Sequence, residues 1–226
     1  MKKLFVFIFI LIIITGFPSE ITEISSDIRN YELKLIEDPY DLNVLKNLTE
    51  LYERLYDLGE KSSIKKAKKY MEDYMKISYD PYSQVKYGSI LMKIGNTEWF
   101  VVSKLWFVFS GNSEMEKGIE REPENLELRL IRANISYNML DFDFCRDNAL
   151  IDYEYLLLKR DEINQEKAEL IPEILYRAAY LRYIRGDIQY SLNYYNQIIS
   201  SHKDSIYYFK ARDAIKEIKG SDYSDD

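Results

Sequence analysis

Pro172-Glu-Ile-Leu-Tyr-Arg-Ala-Ala-Tyr-Leu-Arg-Tyr-Ile-Arg-Gly186-Asp-Ile-Gln-Tyr-Ser-Leu-Asn-Tyr-Tyr-Asn-Gln-Ile-Ile199 is the stretch that decides the fold. Proline suits the first turn of a helix. Leu175, Ala178 and Ala179 then recur at helical spacing, one bulky and two small. Gly186-Asp187 interrupts the pattern, because glycine accepts the left-handed conformation a tight turn needs. Ser191 occupies the small position of the second helix, and Tyr195 and Ile198 are its large apolar members. Small residues let two helices approach closely, while large ones fill the space towards the next element. The pattern predicts an antiparallel helical hairpin.

Upstream, acid–proline pairs recur at Asp38-Pro39, Asp80-Pro81 and Glu122-Pro123, each 42 residues after the last. Pro172 comes 49 residues after Pro123, and the 7 additional residues fit two more helical turns between Lys159 and Leu170. Gly95 lies 14 residues after Pro81, as Gly186 does after Pro172, and Gly59 lies 20 after Pro39. All three are expected at turns. A fixed period in this range marks helical repeats. With these companions the 172–205 unit resembles a tetratricopeptide repeat. The resemblance extends to 39–80, with helices expected at 42–58 and 64–77 and Ala67, Met71 and Tyr74 in packing positions. It is least distinct over 81–171, where Leu126, Leu130, Ala133, Tyr137 and Leu140 share one helical face but the turn Leu140-Asp141 lacks glycine. The resemblance implies an all-α solenoid of about four degenerate hairpins (39–80, 81–122, 123–171, 172–205), closed by a capping helix at 206–218. It also implies a protein- or peptide-binding scaffold.

Composition agrees with a helical core. The chain has 226 residues, 46% of them hydrophobic and 15% aromatic, with 21 tyrosines, so enough apolar surface is available to fold. Eight glycines and five prolines are too few for a turn-rich β-sandwich. A single cysteine excludes an internal disulfide and a multi-cysteine zinc site, and a single histidine excludes an H-E-x-x-H site.

The N-terminus carries an address. Lys2 and Lys3 precede an apolar run from Leu4, which extended to Phe17 reaches 14 residues and is succeeded by Pro18-Ser19-Glu20. This is the layout of a secretory signal peptide, and it is shorter than the roughly 20 residues of a spanning helix. Residues 1–19 are therefore expected to be a signal peptide or a retained anchor, with export to a periplasm or envelope if the source is bacterial. A leader helix is expected at 21–36, so the repeat domain occupies 20–218, and 219–226 form an acidic, flexible tail. Removing Lys2 and Lys3 leaves 29 basic against 38 acidic side chains, a balance of -9, which disfavours nucleic acid.

Three groups of residues bear on function. Tyr176, Tyr180 and Tyr183 fall at i, i+4, i+7, with Glu173 at the same edge, and tyrosine pairs a rigid ring with a hydrogen-bonding tip. These four are the candidate partner-binding residues, although such a stripe also serves to pack against a capping helix. Trp99-Phe-Val-Val-Ser-Lys-Leu-Trp-Phe-Val-Phe109 is apolar on nearly every side, which predicts the most buried helix of the array, capped by Asn96 or Thr97. The alternative is an exposed patch for a partner or a membrane surface. Arg129 and Arg132 offer either a basic spot or a solvated face, and acids such as those of Glu53-Arg54 and Glu72-Asp73 read as solvating charge.

No G-x-S-x-G, phosphate-loop or G-x-G-x-x-G motif occurs. Cys145, among aromatics in Phe142-Asp-Phe-Cys-Arg146, and His202, in a polar loop, do not form an arranged nucleophile and base. The expectation is a non-enzymatic adaptor without cofactor or metal, its partner and oligomeric state unspecified. The alternatives are an envelope component anchored by its N-terminal helix, or an enzyme or small-ligand binder with an acidic, tyrosine-lined groove.

Overall fold

A computed structural model describes residues 2–163 and 165–221, the side chains of 2–19, 165–167 and 221 excepted. Among the described residues there are ten α-helices and no strand, so the protein is all-α. The chain divides into two compact units, 1–122 and 123–226, and the boundary is the Glu122-Pro123 pair.

In the first unit α1 (Lys2–Glu37), α2 (Leu42–Asp57), α3 (Ile64–Ile77), α4 (Pro81–Thr97) and α5 (Val101–Arg121) each lie against the preceding helix. The expected 21–36 leader helix is part of α1, whose backbone runs on from Lys2 without a break. The apolar character of the export segment belongs to side chains outside the described residues. From α1, Ile24 and Ile28 join Leu48, Tyr52 and Tyr56 of α2 and Ala67 and Met71 of α3 in one core. Asp41 starts α2 by accepting the backbone N–H of Asn43 (2.8 Å) and Val44 (3.1 Å). Gly59 makes the α2–α3 turn at φ 109°.

The acid–proline pairs divide in their local role. Asp80 is itself the N-cap of α4, with Pro81 in the first turn, and Asp80 and Ser83 exchange backbone-to-side-chain hydrogen bonds of 2.7 and 3.0 Å. At the other two pairs the cap comes three residues after the acid, at Asp41 and Asn125. Burial by itself raises the Asp80 carboxyl, but donors from Ser83, Ser78 and Tyr74 outweigh it and hold the group below its ordinary value. Asp80→Ala is expected to cost about 1–2 kcal/mol at neutral pH, as lost caps do. A depressed carboxyl stabilises above its unfolded value and loses that contribution as pH falls through its folded one. The difference between Asp80→Ala and the parent, read from urea unfolding, therefore narrows below about pH 4.

Gly95 is not a turn. It lies inside α4, which continues to Thr97, and the connection is residues 98–100. Phe100, in extended conformation, precedes α5; the expected Asn96 or Thr97 cap is displaced because those residues still belong to α4. The glycines of this hairpin serve contact instead. A Cβ added at Gly88 would run into the Gly111 carbonyl oxygen, and one at Gly111 would stand 2.5 Å from that of Gly88. Gly118 faces the Pro81 carbonyl and Val85 in the same way, and Gly95 faces Phe107 and Val108. The two backbones touch, so α4 and α5 form the most intimate pair in the unit.

In the second unit α6 (Leu126–Tyr137) and α7 (Asp143–Leu158) form one hairpin, and α8 (Ile171–Ile184) and α9 (Ile188–Ser201) the next. Gly186 turns the latter at φ 83°. The extra residues of the long interval form short 3-10 turns at Arg160–Glu162 and Gln165–Leu170. Leu175, Ala178, Ala179, Ser191, Tyr195 and Ile198 are all buried, as the pattern requires. The final helix, α10 (Ile206–Ser221), packs on α9 and α8 and reaches three residues beyond the expected Ile218. Only 222–226 of the acidic tail then remain, and these lie outside the described residues.

Candidate binding surface

On α8 the predicted tyrosine stripe divides. Tyr176 faces α9 and α10: its ring lies 5.5 Å from that of Tyr195 and 5.5 Å from that of Tyr207. To that extent it is a packing residue against the capping helix. Tyr180 meets Tyr137 of α6 at 6.2 Å, and Tyr183, 38% accessible, stands exposed at the end of the helix. Glu173 pairs with Arg177 one turn along.

Arg177 is the organising residue, although it is not a member of the stripe. Its guanidinium donates to the Tyr153 hydroxyl (2.9 Å) and to Asn134 Oδ1 (3.0 Å), and it sits 4.8 Å above the Tyr137 ring. One side chain thereby ties α6, α7 and α8. Lys210 of α10, exposed, lies 4.9 Å from the Tyr207 ring. The result is a surface of half-buried tyrosines edged by Arg177, Lys210 and Glu173, contributed by α6, α8 and α10. Burial pushes the Tyr137 hydroxyl up to about 12, with Arg177 pulling the other way. The Tyr137 hydroxyl remains neutral at physiological pH. The signal for Arg177 in the sequence is its place four residues after Glu173.

Arg129 and Arg132 are neither a basic spot nor a solvated face. Both reach Asp152 of α7, which is fully buried: Arg129 Nη1 donates at 2.7 Å, and Arg132 Nε and Nη2 donate at 2.6 and 2.8 Å. Arg129 also donates to the Pro123 carbonyl (2.6 Å) and covers the Tyr155 ring at 4.0 Å. Glu53 is likewise no solvating charge. It is buried on α2 and paired with Lys86 (2.6 Å) and Lys93 (3.3 Å) of α4. Glu154 of α7 holds Arg182 of α8 by two hydrogen bonds, of 2.8 and 2.7 Å. For Glu53 the expectation of a solvated acid fails because its carboxylate faces a neighbouring helix whose register composition does not reveal, whereas Arg54, Glu72 and Asp73 keep substantial access to solvent.

The Trp99–Phe109 segment reverses its expectation. Val108 is buried and Phe107 packs on the core, yet Trp99 is 91% and Trp106 61% accessible. Phe100, Val101, Val102, Leu105 and Phe109 are exposed with them. The segment lies at the tip of the α4–α5 hairpin, where the neighbouring helices do not cover it.

For chemistry, burial drives the Cys145 thiol up to about 12, away from the thiolate that a nucleophile needs. Burial lowers His202, helped by Arg160. Among the described residues no three His, Cys, Asp or Glu side chains gather as a metal site would require. The first unit has a cleft of about 570 Å³ lined by Glu32, Tyr40, Lys69, Tyr70 and Asp73 together with apolar residues. Its Glu32 is engaged, accepting from Tyr52 (2.9 Å) and Tyr70 (3.0 Å). Fold and surface define a class, an all-helical protein of hairpins with an aromatic, cation-edged face. Neither a scan against protein-family models nor a search of curated proteins matches the chain.

Proposed function

We propose that the protein is an exported, non-enzymatic scaffold of tetratricopeptide-like hairpins that binds a protein or an extended peptide on the α6–α8–α10 face of its second unit. One observation carries this reading. Successive hairpins contribute their first helices to a single surface on which Tyr137, Tyr180 and Arg177 are held in place before any partner arrives. Rigid tyrosines and an arginine are the residues that anchor protein interfaces, and fixing them beforehand lowers the entropic cost of binding. The export segment sets the compartment, whether it is cleaved or kept. The tyrosine-lined cleft of the first unit supports a second reading, a small-ligand binder.

The test is a photo-crosslinking amino acid in place of Tyr183, in the full chain in its native host. A protein adduct of one defined mass is expected, and Lys210→Glu should lower its yield at least about tenfold by reversing charge at the surface edge. No adduct, or an adduct indifferent to Lys210→Glu, overturns the scaffold reading.

A further inference from the structure

The α4–α5 tip carries two tryptophans, two phenylalanines, two valines and a leucine to solvent, with Ser103 and Lys104 the only polar residues between Trp99 and Phe109. Its surroundings indicate the occupant. Three contacts trace which end of the first unit this is. Where α1 enters the packed body, Glu20 pairs with Arg54 of α2 at 2.7 Å. One turn further along α2, Asp57 pairs with Lys93 of α4 at 3.1 Å, and the Tyr56 hydroxyl donates to the Lys93 carbonyl at 3.2 Å. Lys93 is one turn from Thr97, the last residue of α4. The apolar leader therefore enters the body at the end from which the aromatic tip projects. That leader, a largely apolar run of 14 residues, falls short of the roughly 20 that span a bilayer. A single short hydrophobic segment holds a membrane weakly, and stable attachment takes a second contact.

We propose that the Trp99–Phe109 tip is this second contact: it seats in the headgroup and acyl-chain boundary of the bilayer that receives the leader. Tryptophan and phenylalanine favour that boundary, and Lys104 can extend its ammonium to the phosphates. The inward face of α5 keeps Val108 and Met115 in the core, so the tip docks without unfolding the hairpin.

Trp99 and Trp106 are the only tryptophans of the chain, which makes the proposal directly readable. The full chain is reconstituted into vesicles of phosphatidylethanolamine and phosphatidylglycerol, with and without bromine on the acyl chains. The expected result is blue-shifted emission, quenched by lipid-borne bromine and shielded from aqueous acrylamide. The triple variant Val101→Ser, Val102→Ser, Phe109→Ser alters exposed positions and keeps both reporters, and it should lower the ratio of docked to undocked tip by more than about tenfold. Four fluorescence results overturn the proposal. The first is vesicle-bound protein whose emission acrylamide quenches and bromine does not. A shift that tracks protein density rather than lipid assigns the tip to a second copy. A shift that occurs only when another protein is added assigns it to that protein. Finally, emission that is already blue and indifferent to bromine places the tryptophans inside the molecule. The proposal rests on the leader being membrane-directed, and the two fail separately. A chain that does not sediment with vesicles at all overturns both, whereas a sedimenting chain with unquenched tryptophans overturns only the tip.

Discussion

Gly88→Ala is expected to destabilise the first unit by about 3 kcal/mol, although alanine is ordinarily the better helix former by about 1 kcal/mol. The sign reverses because the new methyl would meet the Gly111 carbonyl oxygen and Met115, and backbone cannot step aside as a side-chain end can. Gly111→Ala should cost a similar amount, since its methyl would stand 2.5 Å from the Gly88 carbonyl and 2.7 Å from Met92 Cγ. The double variant should cost less than the sum, because both changes open the same contact. Gly220→Ala is the control: nothing lies within 4 Å of its added carbon, and stability should stay level or rise slightly. Urea unfolding monitored by circular dichroism decides. A Gly88→Ala protein as stable as the parent would mean that the two backbones are not in contact.

The second large effect is at Asp152. Asp152→Ala leaves Arg129 and Arg132, both largely enclosed, without their carboxylate, and should cost about 3–5 kcal/mol. Coulombic attraction in a low-dielectric site is large, but so is the penalty for placing ions there, so the cost reflects the stranded cations more than the worth of the pair. Replacing the whole cluster with apolar residues (Asp152→Leu, Arg129→Met, Arg132→Leu) should therefore recover most of the loss. Recovery stays incomplete, because Arg129 also bonds the Pro123 carbonyl and covers Tyr155. If the triple variant is as unstable as Asp152→Ala alone, stranded charge is not the cause.

Much of the architecture is legible in the chain. The last hairpin can be read from Pro172, the paired alanines and Gly186, because each has one local job and the jobs agree. The 42-residue spacing locates the hairpin boundaries, since proline and a capping side chain act within a few residues. Features that depend on distant partners are not legible in this way. Gly95 matches Gly186 in its distance from proline, which suggests a turn that the structure does not make there. The more telling pattern is Gly88 and Gly95 on one helix and Gly111 and Gly118 on the next, each pair seven residues apart. Composition argues for burial of Trp99–Phe109, but a hairpin that outreaches its neighbours exposes its end whatever its residues. For Arg132 and Asp152, 20 residues apart, the pairing depends on the register of α6 against α7, which neither helix encodes alone. At the candidate surface the stripe is visible in the sequence, whereas for Arg177 only its pairing with Glu173 is, because its organising contacts come from two other helices.

The buried carboxylates also bear on how such a chain avoids assembling wrongly. Look-alike hairpins present interchangeable oily faces, so any one of them risks docking on the wrong neighbour or sliding by a turn during folding. Glu53 accepts only a helix carrying two lysines a pair of turns apart, and Asp152 only one with two arginines a turn apart at the matching height. A slipped arrangement strands a charge in the interior, so each junction tolerates one neighbour and one alignment.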